Sequence, residues 1–350
     1  MRACIIRGTG SLDRIEVADV PDAPSGAALD PGHVRVAVRA AALNHLDLFV
    51  VHGLPGDYHF PHILGADGAG VVGATGHGVT AVKPGDRVMI NPGISDYTCE
   101  YCRAGEHSLC VNYRLLGEHL PGTLAGSVVV PDRNLAVLPT LAPPLTWAEA
   151  AAFSLVTLTA WRMVVTRAAV RAGETVLVWG SGGGVSLACL RIAKLRGARV
   201  IVTSSQDAKL VEARRHGADV TLNHRTQKVS REVRALTAGR GADVVVDHVG
   251  EATWEESLRL LAKGGRLVTC GATTGPKVVT DLRRVFWNQY TILGSTMGNA
   301  AEYAEIVRLL GTGALRPIVD RVYPLAEAHA AFERLERGEQ LGKIVVRVAE

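Results

Sequence analysis

The stretch ETVLVWGSGGGVSLACLRIAKLRGARVIVTSSQDAK, residues Glu174 to Lys209, decides the fold of this chain. Thr175–Trp179 is a short apolar run rich in β-branched residues, which is typical of a buried strand. A glycine-rich turn follows, and apolar residues then recur at helical spacing up to Gly197, a residue type that commonly ends a helix. Arg199–Thr203 is a second β-branched strand. Strand, turn, helix and strand within about thirty residues predict a βαβ unit.

The turn between the first strand and the helix predicts dinucleotide binding. Glycines let backbone N–H groups approach a pyrophosphate at a helix N-terminus, where the helix dipole favours an anion. The pattern departs from G-x-G-x-x-G because Val185 stands at the third glycine position. The alternative is a tight turn without a binding role. The residues expected at the cofactor are Gly180, Ser181, Gly182, Gly183, Gly184 and Val185.

The end of the second strand bears on the choice between NADH and NADPH. An NAD site usually carries Asp or Glu there, about twenty residues past the glycines, to bind the ribose 2′-OH. This chain has Thr203, Ser204 and Ser205 at that place, followed by Lys209. Hydroxyls and a lysine suit a 2′-phosphate better, so we expect NADPH with Ser204, Ser205 and Lys209 at its phosphate. The alternative is that Lys209 is a solvated helix residue and Asp207 turns inward.

Composition excludes several classes of function. A chain of 350 residues with 47% hydrophobic residues is expected to form one or two globular domains. The formal charge of +4 comes without a basic cluster interleaved with aromatics, so no nucleic-acid partner is expected. No apolar run has transmembrane length, which predicts no membrane partner. The N-terminus MRACIIRG reads as a strand rather than a signal peptide, and we expect a cytoplasmic protein.

The two halves of the chain have different patterns. Before Leu141 the sequence is mostly short strands and turns, which predicts an antiparallel, barrel-like domain. A helical pattern covers Leu145–Val165. Beyond the βαβ unit, strands and helices alternate as far as Cys270, and this predicts a parallel, doubly wound sheet.

Several motifs in order resemble the medium-chain dehydrogenase/reductase superfamily. They are ALNHLDLFVVHGLPG (Ala42–Gly56), LGADGAGVV (Leu64–Val72), PGDRV (Pro84–Val88), CEYCRAGEHSLC (Cys99–Cys110), LTAW (Leu158–Trp161), the glycine turn and LGKIVVRV near the end. The chain looks similar to the zinc-type alcohol dehydrogenase-like and quinone oxidoreductase branches. The resemblance implies an α/β fold with a GroES-like antiparallel β-barrel domain, residues 1–153 completed by 297–350. It also implies a Rossmann domain over residues 154–296.

A cysteine cluster has the spacing of a metal site. Cys99 and Cys102 are separated by two residues, and Cys110 follows eight residues later. In the related dehydrogenases four cysteines hold a structural zinc, and the place of the first falls here on Asp96, whose carboxylate can bind zinc. We therefore expect one structural Zn²⁺ on these four residues. The alternative is a lobe of free thiols held by packing, and the nearby groups that could substitute are Glu100, Glu106 and His107.

The resemblance also implies that a catalytic zinc is missing. Alcohol dehydrogenases of this superfamily bind it with Cys, His and Cys, and these places hold Asn44, Ala66 and about Leu155 here. The glutamate after the family's histidine corresponds to Asp67. Alanine and leucine offer no ligand atom, and a lone asparagine does not replace three ligands.

The pattern Asn44-x-x-Asp47 resembles the zinc-free quinone reductases, in which NADPH delivers a hydride to an electron-poor carbon. The oxygen that gains charge then needs only hydrogen-bond donors and a proton. The candidates for these roles are the Asn44 amide, His45 and His119, while Asp47 is expected to orient the loop. Each has a structural alternative: Asn44 as a cap, and the histidines as satisfied structural residues.

The resemblance implies further contacts in the second half. His224 follows a strand where quinone reductases often have a tyrosine near the adenosine phosphate. Backbone groups at Gly271 and Ser295 are expected to hold the nicotinamide carboxamide at the carboxyl edge of the sheet. Gln289–Met297 resembles the family's last strand, which often joins two subunits, so a homodimer is expected.

The predicted function is NADPH-dependent hydride transfer to a quinone or an α,β-unsaturated carbonyl, without catalytic zinc. One alternative is a zinc-type alcohol dehydrogenase acting on alcohols and aldehydes, which needs ligands that the sequence lacks. Another is a non-catalytic NADPH-binding sensor or structural protein, because binding and chemistry use different residues.

Overall fold

A computed structural model describes residues 1–56 and 58–349, except the side chain of Ala27. The strands are β1 (Arg2–Ile6), β2 (Ile15–Asp19), β3 (His33–Ala42), β4 (His62–Ile63), β5 (Asp67–Thr75), β6 (Arg87–Ile90), β7 (Gly93–Ile94), β8 (Arg114–Leu115), β9 (Ser127–Pro131), β10 (Leu135–Val137), β11 (Thr175–Val178), β12 (Arg199–Ser204), β13 (Val220–Asn223), β14 (Ala242–Val246), β15 (Leu261–Thr269), β16 (Thr291–Gly294), β17 (Val319–Pro324) and β18 (Lys343–Arg347). The helices are α1 (His45–His52), α2 (Glu100–Arg103), α3 (Trp147–Ala151), α4 (Ser154–Trp161), α5 (Gly184–Leu195), α6 (Asp207–Arg215), α7 (Val229–Leu236), α8 (Glu251–Leu260), α9 (Leu282–Asn288), α10 (Ala300–Gly311) and α11 (Ala328–Glu336).

Residues 1–155 and 299–350 form one compact unit, which is built mainly of β-strands. Its largest sheet has the order β10-β6-β5-β3-β18-β17, with β9 also paired to β3. β3 alternates buried and half-buried residues because Val34, Val36 and Val38 pack into the core while their neighbours face outward. β18 returns from the end of the chain to pair antiparallel with β3. The last residues of β3 and the first residues of β5 and β18 therefore lie close together.

Residues 156–298 form the second compact unit around a six-stranded parallel sheet. Its strand order is β13-β12-β11-β14-β15-β16. From β11 the chain first adds strands on one side of the sheet, β12 and β13, and then on the other side, β14 to β16. Such a reversal opens a crevice at the carboxyl ends of the strands, where dinucleotides bind in this architecture. The strands rich in β-branched residues lie inside this sheet, because parallel strands are covered on both faces and carry apolar side chains on each. The predicted fold class is confirmed.

One helix prediction was wrong in its extent. The apolar pattern over Leu145–Val165 predicts one long helix, but α3 ends at Ala151, and α4 begins at Ser154. A π-helical turn, Arg162–Arg167, follows α4. Phe153, between the two helices, is 1% exposed, so the break serves to bury an aromatic ring. In the ranges 1–56 and 58–349, no helix combines the length and the apolar character needed to cross a bilayer.

Candidate active site and cofactor site

The loop after β3 is held by a buried carboxylate. Asp47 is fully buried in the first turn of α1, and its side chain accepts hydrogen bonds from the N–H of Asn44 at 2.7 Å and of Gly65 at 3.0 Å. A carboxylate in the first turn of a helix satisfies N–H groups that have no partner within the helix. Asp47 thus ties the start of α1 to the segment before β5. Burial raises its pKa to about 6.

The side-chain amide of Asn44 makes its hydrogen bonds to other groups of the protein. Its Nδ2 donates to a carboxylate oxygen of Asp67 at 3.1 Å and to the carbonyl of Ala42 at 3.3 Å. Its Oδ1 accepts a short hydrogen bond from Nζ of Lys343. Since both amide hydrogens are engaged, Asn44 holds the site together rather than presenting a donor outward.

A buried ion pair lies directly behind this asparagine. Nζ of Lys343 is 3.0 Å from a carboxylate oxygen of Asp67, and the two side chains are 4% and 0% exposed. The other oxygen of Asp67 accepts from the N–H of Leu155 at 2.8 Å. Buried charges persist when they are paired and hydrogen-bonded, and both conditions hold here. Asp67 is the first residue of β5 and Lys343 the first of β18, so the sheet brings the charges together.

These residues do not fit a catalytic zinc. Ala66 and Leu155 carry no ligand atom, and the oxygen of Asn44 is occupied by the ammonium group of Lys343. A positive charge against the remaining donors, Asn44 and Asp67, opposes a second cation there. The site is therefore organised by a lysine and not by metal ligands.

The two candidate histidines lie in different surroundings. His45 is half-buried at the first position of α1, next to Asn44. His119 lies in the turn after β8, where its Nδ1 accepts from the N–H of Leu115 at 3.3 Å. Its Nε2 is 3.7 Å from the carboxylate of Glu118, whose pKa is raised by burial.

The structure brings the four predicted ligands of the cysteine lobe together. Ligand atoms of Asp96, Cys99, Cys102 and Cys110 all lie within 4.8 Å of one another. Zinc with about 2.3 Å bonds to sulfur in a tetrahedron needs donor atoms about 3.8 Å apart, which lies inside this limit, so three thiols and a carboxylate fit the ion. His107 is not part of this group, because its Nδ1 accepts from the N–H of Ala300 at 3.3 Å.

The carboxylate of this lobe is firmly oriented. Asp96 accepts from the N–H groups of Thr98 at 2.7 Å and Cys99 at 3.0 Å, and from Nδ2 of Asn112 at 2.8 Å. These hydrogen bonds hold the pKa of Asp96 well below its usual range, so it is ionised as a metal ligand must be.

The glycine turn of the second unit has the features of a pyrophosphate site. Gly180 adopts φ +78, a left-handed conformation that favours glycine. Its N–H donates to Oγ1 of Thr203 at 3.2 Å. Gly183 is the N-cap of α5, with Gly184 and Val185 in the first turn and Gly182 just before. The hydroxyl of Ser181 is buried with no hydrogen-bond partner among residues 1–56 and 58–349, so the turn fits a polar ligand that supplies one.

The end of β12 carries hydroxyls and no acid. Oγ of Ser204 accepts from the N–H of Gln206 at 3.2 Å, and Ser205 beside it is half-buried. The carboxylate of Asp207 accepts from the amide of Asn223 at 2.7 Å and so is engaged away from the strand end. Lys209 is half-buried in the first turn of α6.

The remaining predicted cofactor residues lie at the same edge of the sheet. His224 follows β13, and its Nδ1 is 3.3 Å from Oγ1 of Thr203, while burial lowers its pKa. Gly271 follows β15 and is exposed. Ser295 follows β16, and its hydroxyl is buried with no hydrogen-bond partner in the part of the chain that the structure describes.

Two residues of the site were missed from the sequence. Lys343 lies in the motif LGKIVVRV, and its signal is that a lysine opening an otherwise apolar strand indicates a buried partner. His248 follows β14 at the carboxyl edge, and its Nε2 is buried with no hydrogen-bond partner among the described residues. Its position after a central strand was the available signal.

Comparison with known proteins identifies the family. Residues 30–140 match the model for the alcohol dehydrogenase GroES-like domain, and residues 184–312 match that for zinc-binding dehydrogenase. A crystal structure of an NAD-dependent alcohol dehydrogenase is 46% identical, with a TM-score of 0.94 and all of both chains covered. An NAD-dependent alcohol dehydrogenase of Sulfolobus acidocaldarius is 31% identical over 99% of this chain and 100% of its own. The acryloyl-coenzyme A reductase of Metallosphaera sedula is 31% identical, with 99% of each chain covered.

A GroES-like unit with a nucleotide-binding parallel sheet defines a two-domain oxidoreductase that uses a nicotinamide cofactor. The chain belongs to the medium-chain dehydrogenase/reductase superfamily, as its motifs had indicated.

Proposed function

We propose that this enzyme uses NADPH to reduce an electron-poor carbon–carbon double bond conjugated to a carbonyl, in an α,β-unsaturated carbonyl compound or a quinone, without catalytic zinc. The observation that carries the proposal is the ammonium group of Lys343, hydrogen-bonded to Asn44 and Asp67 where the related dehydrogenases place metal ligands.

The absence of a ligand set for zinc constrains the chemistry. Reduction of a simple aldehyde is helped by a Lewis acid that polarises the carbonyl. A conjugated acceptor spreads the incoming charge onto its oxygen as an enolate or phenolate, which hydrogen bonds can stabilise. A site of positioned polar groups suits the second reaction better.

Each residue of the site would have a separate role in the proposed reaction. The bound nicotinamide supplies the hydride, and the protein has to orient the acceptor, stabilise its oxygen and deliver a proton. His45 and His119 are the candidate donors, since both hydrogens of the Asn44 amide are engaged internally. Asp47 fixes the loop that carries His45 through its hydrogen bonds to Asn44 and Gly65.

Relatives support the choice of substrate class. Besides the acryloyl-coenzyme A reductase, the crotonyl-CoA reductase of Streptomyces collinus is 30% identical over 91% of this chain. Their names describe reduction of double bonds conjugated to a thioester carbonyl. We therefore place α,β-unsaturated carbonyl compounds ahead of quinones.

The proposed preference for NADPH rests on the end of β12. No acid follows the strand before Asp207, whose carboxylate is bound to Asn223. Ser204, Ser205 and Lys209 provide two hydroxyls and a cation for a 2′-phosphate.

Lys209→Glu tests this preference. We expect the ratio of kcat/KM for NADPH over NADH to fall by about tenfold or more, because a charge-assisted hydrogen bond to the 2′-phosphate becomes a repulsion. The matched control is Arg215→Glu, which reverses a charge on the same helix at a residue paired with Glu212. An unchanged ratio in Lys209→Glu would remove Lys209 from the phosphate site.

We also propose that Asp96, Cys99, Cys102 and Cys110 hold one structural zinc. The convergence of four ligand atoms within 4.8 Å supports this assignment. All four positions are filled by protein side chains, so the ion would stabilise the lobe and take no part in the reaction.

The experiment that tests the function is NADPH oxidation by the purified protein with an enone, an enoyl thioester, a quinone and an aldehyde in parallel. We expect turnover of the conjugated substrates, with the saturated carbonyl compound as product of the enone, and slower turnover with NADH. Turnover of the aldehyde alone would contradict the proposal.

That contrary result would favour an alcohol dehydrogenase, the activity named for the solved structure with 46% identity. Binding of NADPH with no oxidation by any acceptor would instead indicate a binding protein without turnover.

A further inference from the structure

The turn after β8 packs against the segment that leads into β5. Gly117 in this turn adopts φ +73, and a Cβ added to it would stand 2.6 Å from the carbonyl group of Gly65. Gly65 in turn donates its N–H to the buried carboxylate of Asp47 at 3.0 Å. Because only glycine allows so close an approach, the next two residues, Glu118 and His119, are held beside the segment that Asp47 anchors.

The imidazole of His119 is held in one tautomer by this turn. Its Nδ1 accepts a hydrogen bond from the N–H of Leu115 at 3.3 Å, and its carbonyl accepts one from Arg114 at 2.8 Å. A neutral imidazole that accepts at Nδ1 carries its hydrogen on Nε2. A second proton on the ring would replace the hydrogen bond from Leu115 by two N–H groups facing each other. His119 therefore acts as a hydrogen-bond donor through Nε2.

Glu118 provides an acid in the same turn. Its side chain is 15% exposed, and Nε2 of His119 is 3.7 Å from its carboxylate, which is beyond hydrogen-bond length. Burial raises the pKa of Glu118, and His119 opposes this only in part. The turn is also lined by Arg114, by Tyr58 after α1 and by His62 of β4. A carboxyl group in such surroundings keeps its proton at a higher pH than a solvated one does.

We propose that the carboxyl group of Glu118 gives the proton that completes reduction of an α,β-unsaturated carbonyl compound; this rests on the proposed function. The β-carbon of the substrate gains the hydride as NADPH is oxidised, and the electrons of the double bond move onto the carbonyl oxygen as an enolate. Glu118 then donates its proton to the α-carbon, the carbonyl forms again, and the carboxylate takes a proton from water. The hydrogen on Nε2 of His119 remains free to bind the enolate oxygen.

The test follows reduction of a cyclic enone by NADPH in D₂O with the full-length protein. The wild type should place deuterium on one face of the α-carbon, because a fixed acid delivers it. In Glu118→Gln we expect kcat to fall about 100-fold, the contribution of a positioned acid, and deuterium to enter from both faces. Glu118→Asp keeps a carboxyl group and should recover part of the rate. Kd for NADPH should be the same in all three proteins, which reports that the variants are folded.

The pH dependence of the wild type gives a second measurement. Since only the protonated carboxyl group can act, kcat for the enone should fall as pH rises through the raised pKa of Glu118. Glu118→Gln has no such group and should not show this fall. The wild-type profile needs no variant, so it tests the inference even if Glu118→Gln does not fold.

Several results would overturn the inference. They are equal kcat in wild type and Glu118→Gln, deuterium on a single face in both proteins, deuterium on both faces in the wild type, and a wild-type kcat that does not fall with rising pH. A wild type that reduces the enone while Glu118→Gln is unimpaired refutes the role of Glu118 alone. A wild type that reduces no conjugated acceptor refutes the proposed function, and the role of Glu118 with it.

Discussion

Removing one partner of the ion pair between Lys343 and Asp67 should destabilise the protein more than removing both partners. Lys343→Met leaves the carboxylate of Asp67 buried without its cation, and we expect a loss of about 3–5 kcal/mol in the free energy of unfolding. The double variant Asp67→Asn/Lys343→Met removes both charges and should recover much of that loss. Urea unfolding of the single and double variants measures the coupling. A change below about 1 kcal/mol in Lys343→Met would show that the pair is not buried as described.

Asp47 should make stability depend on pH in an unusual direction for a carboxylate. Burial raises its pKa to about 6, above the unfolded value of about 3.9. The folded state then binds the proton more tightly, so this group's contribution is greatest below about pH 4 and is lost as pH rises through about 6. A shift of about two units corresponds to about 3 kcal/mol.

The measurement is the difference in unfolding free energy between wild type and Asp47→Asn across this range. We expect the wild type to lose stability relative to the variant as pH rises from about 4 to about 7. The exposed Asp19→Asn serves as control for effects common to all carboxylates. A constant difference over that range would contradict a raised pKa at Asp47.

The individual site residues were predictable to different degrees. Asn44, Asp67 and the cysteine cluster could be located because each lies in a short motif. The role of Lys343 could not, because its partners Asp67 and Asn44 are 276 and 299 residues away and only the pairing of β18 with β3 brings them together. His248 carries no motif at all, and only the structure shows it half-buried at the carboxyl edge of the parallel sheet.

At the level of structural elements, the stability of the cysteine lobe should depend on the bound zinc ion. We expect Cys102→Ser to lower both zinc content and melting temperature, because a structural zinc contributes directly to folding and a hydroxyl is a poor replacement for a thiolate ligand. Metal analysis and calorimetry on the same preparation measure the two quantities. Cys270→Ser, outside the lobe, should leave zinc content unchanged. If Cys102→Ser alters neither quantity, the lobe holds no zinc.

The strands were easier to predict than the helix boundaries. β11 falls within the predicted Thr175–Trp179, and β12 begins at Arg199 as predicted. The interruption between α3 and α4 was not predictable, since Ala152 and Phe153 are compatible with a helix. The burial of Phe153 in the core decides the break, and that depends on residues distant in sequence.

For the molecule as a whole, we propose a homodimer joined through β16. This strand is the outer edge of the six-stranded sheet, so one side of its backbone pairs with no other strand of the described residues. Apolar side chains are exposed beside it, including Phe286 at 65% and Trp287 at 76% on α9 and Ile292 at 39% on the strand. A second copy related by a twofold axis could pair with the edge and cover these side chains.

Ile292→Lys tests the proposed dimer, because a charged residue on an edge strand disfavours pairing with another chain. We expect a shift from dimer to monomer in sedimentation velocity. Val211→Lys is the matched control: it introduces the same charge at an exposed apolar residue of α6, which packs on β12 and β13 at the opposite side of the sheet. A wild type that sediments as a monomer would refute the proposal outright.

The buried lysine also constrains how this enzyme can diverge over evolutionary time. If cysteine or histidine arose at Asn44, Ala66 and Leu155, the ion they bound would lie beside the ammonium group of Lys343 and be repelled by it. Each new ligand would then bring no benefit while the lysine remained. A lineage could pass from this site to a metal-dependent one only if residue 343 changed first or together with the ligands, so the order of mutations matters as much as their identity.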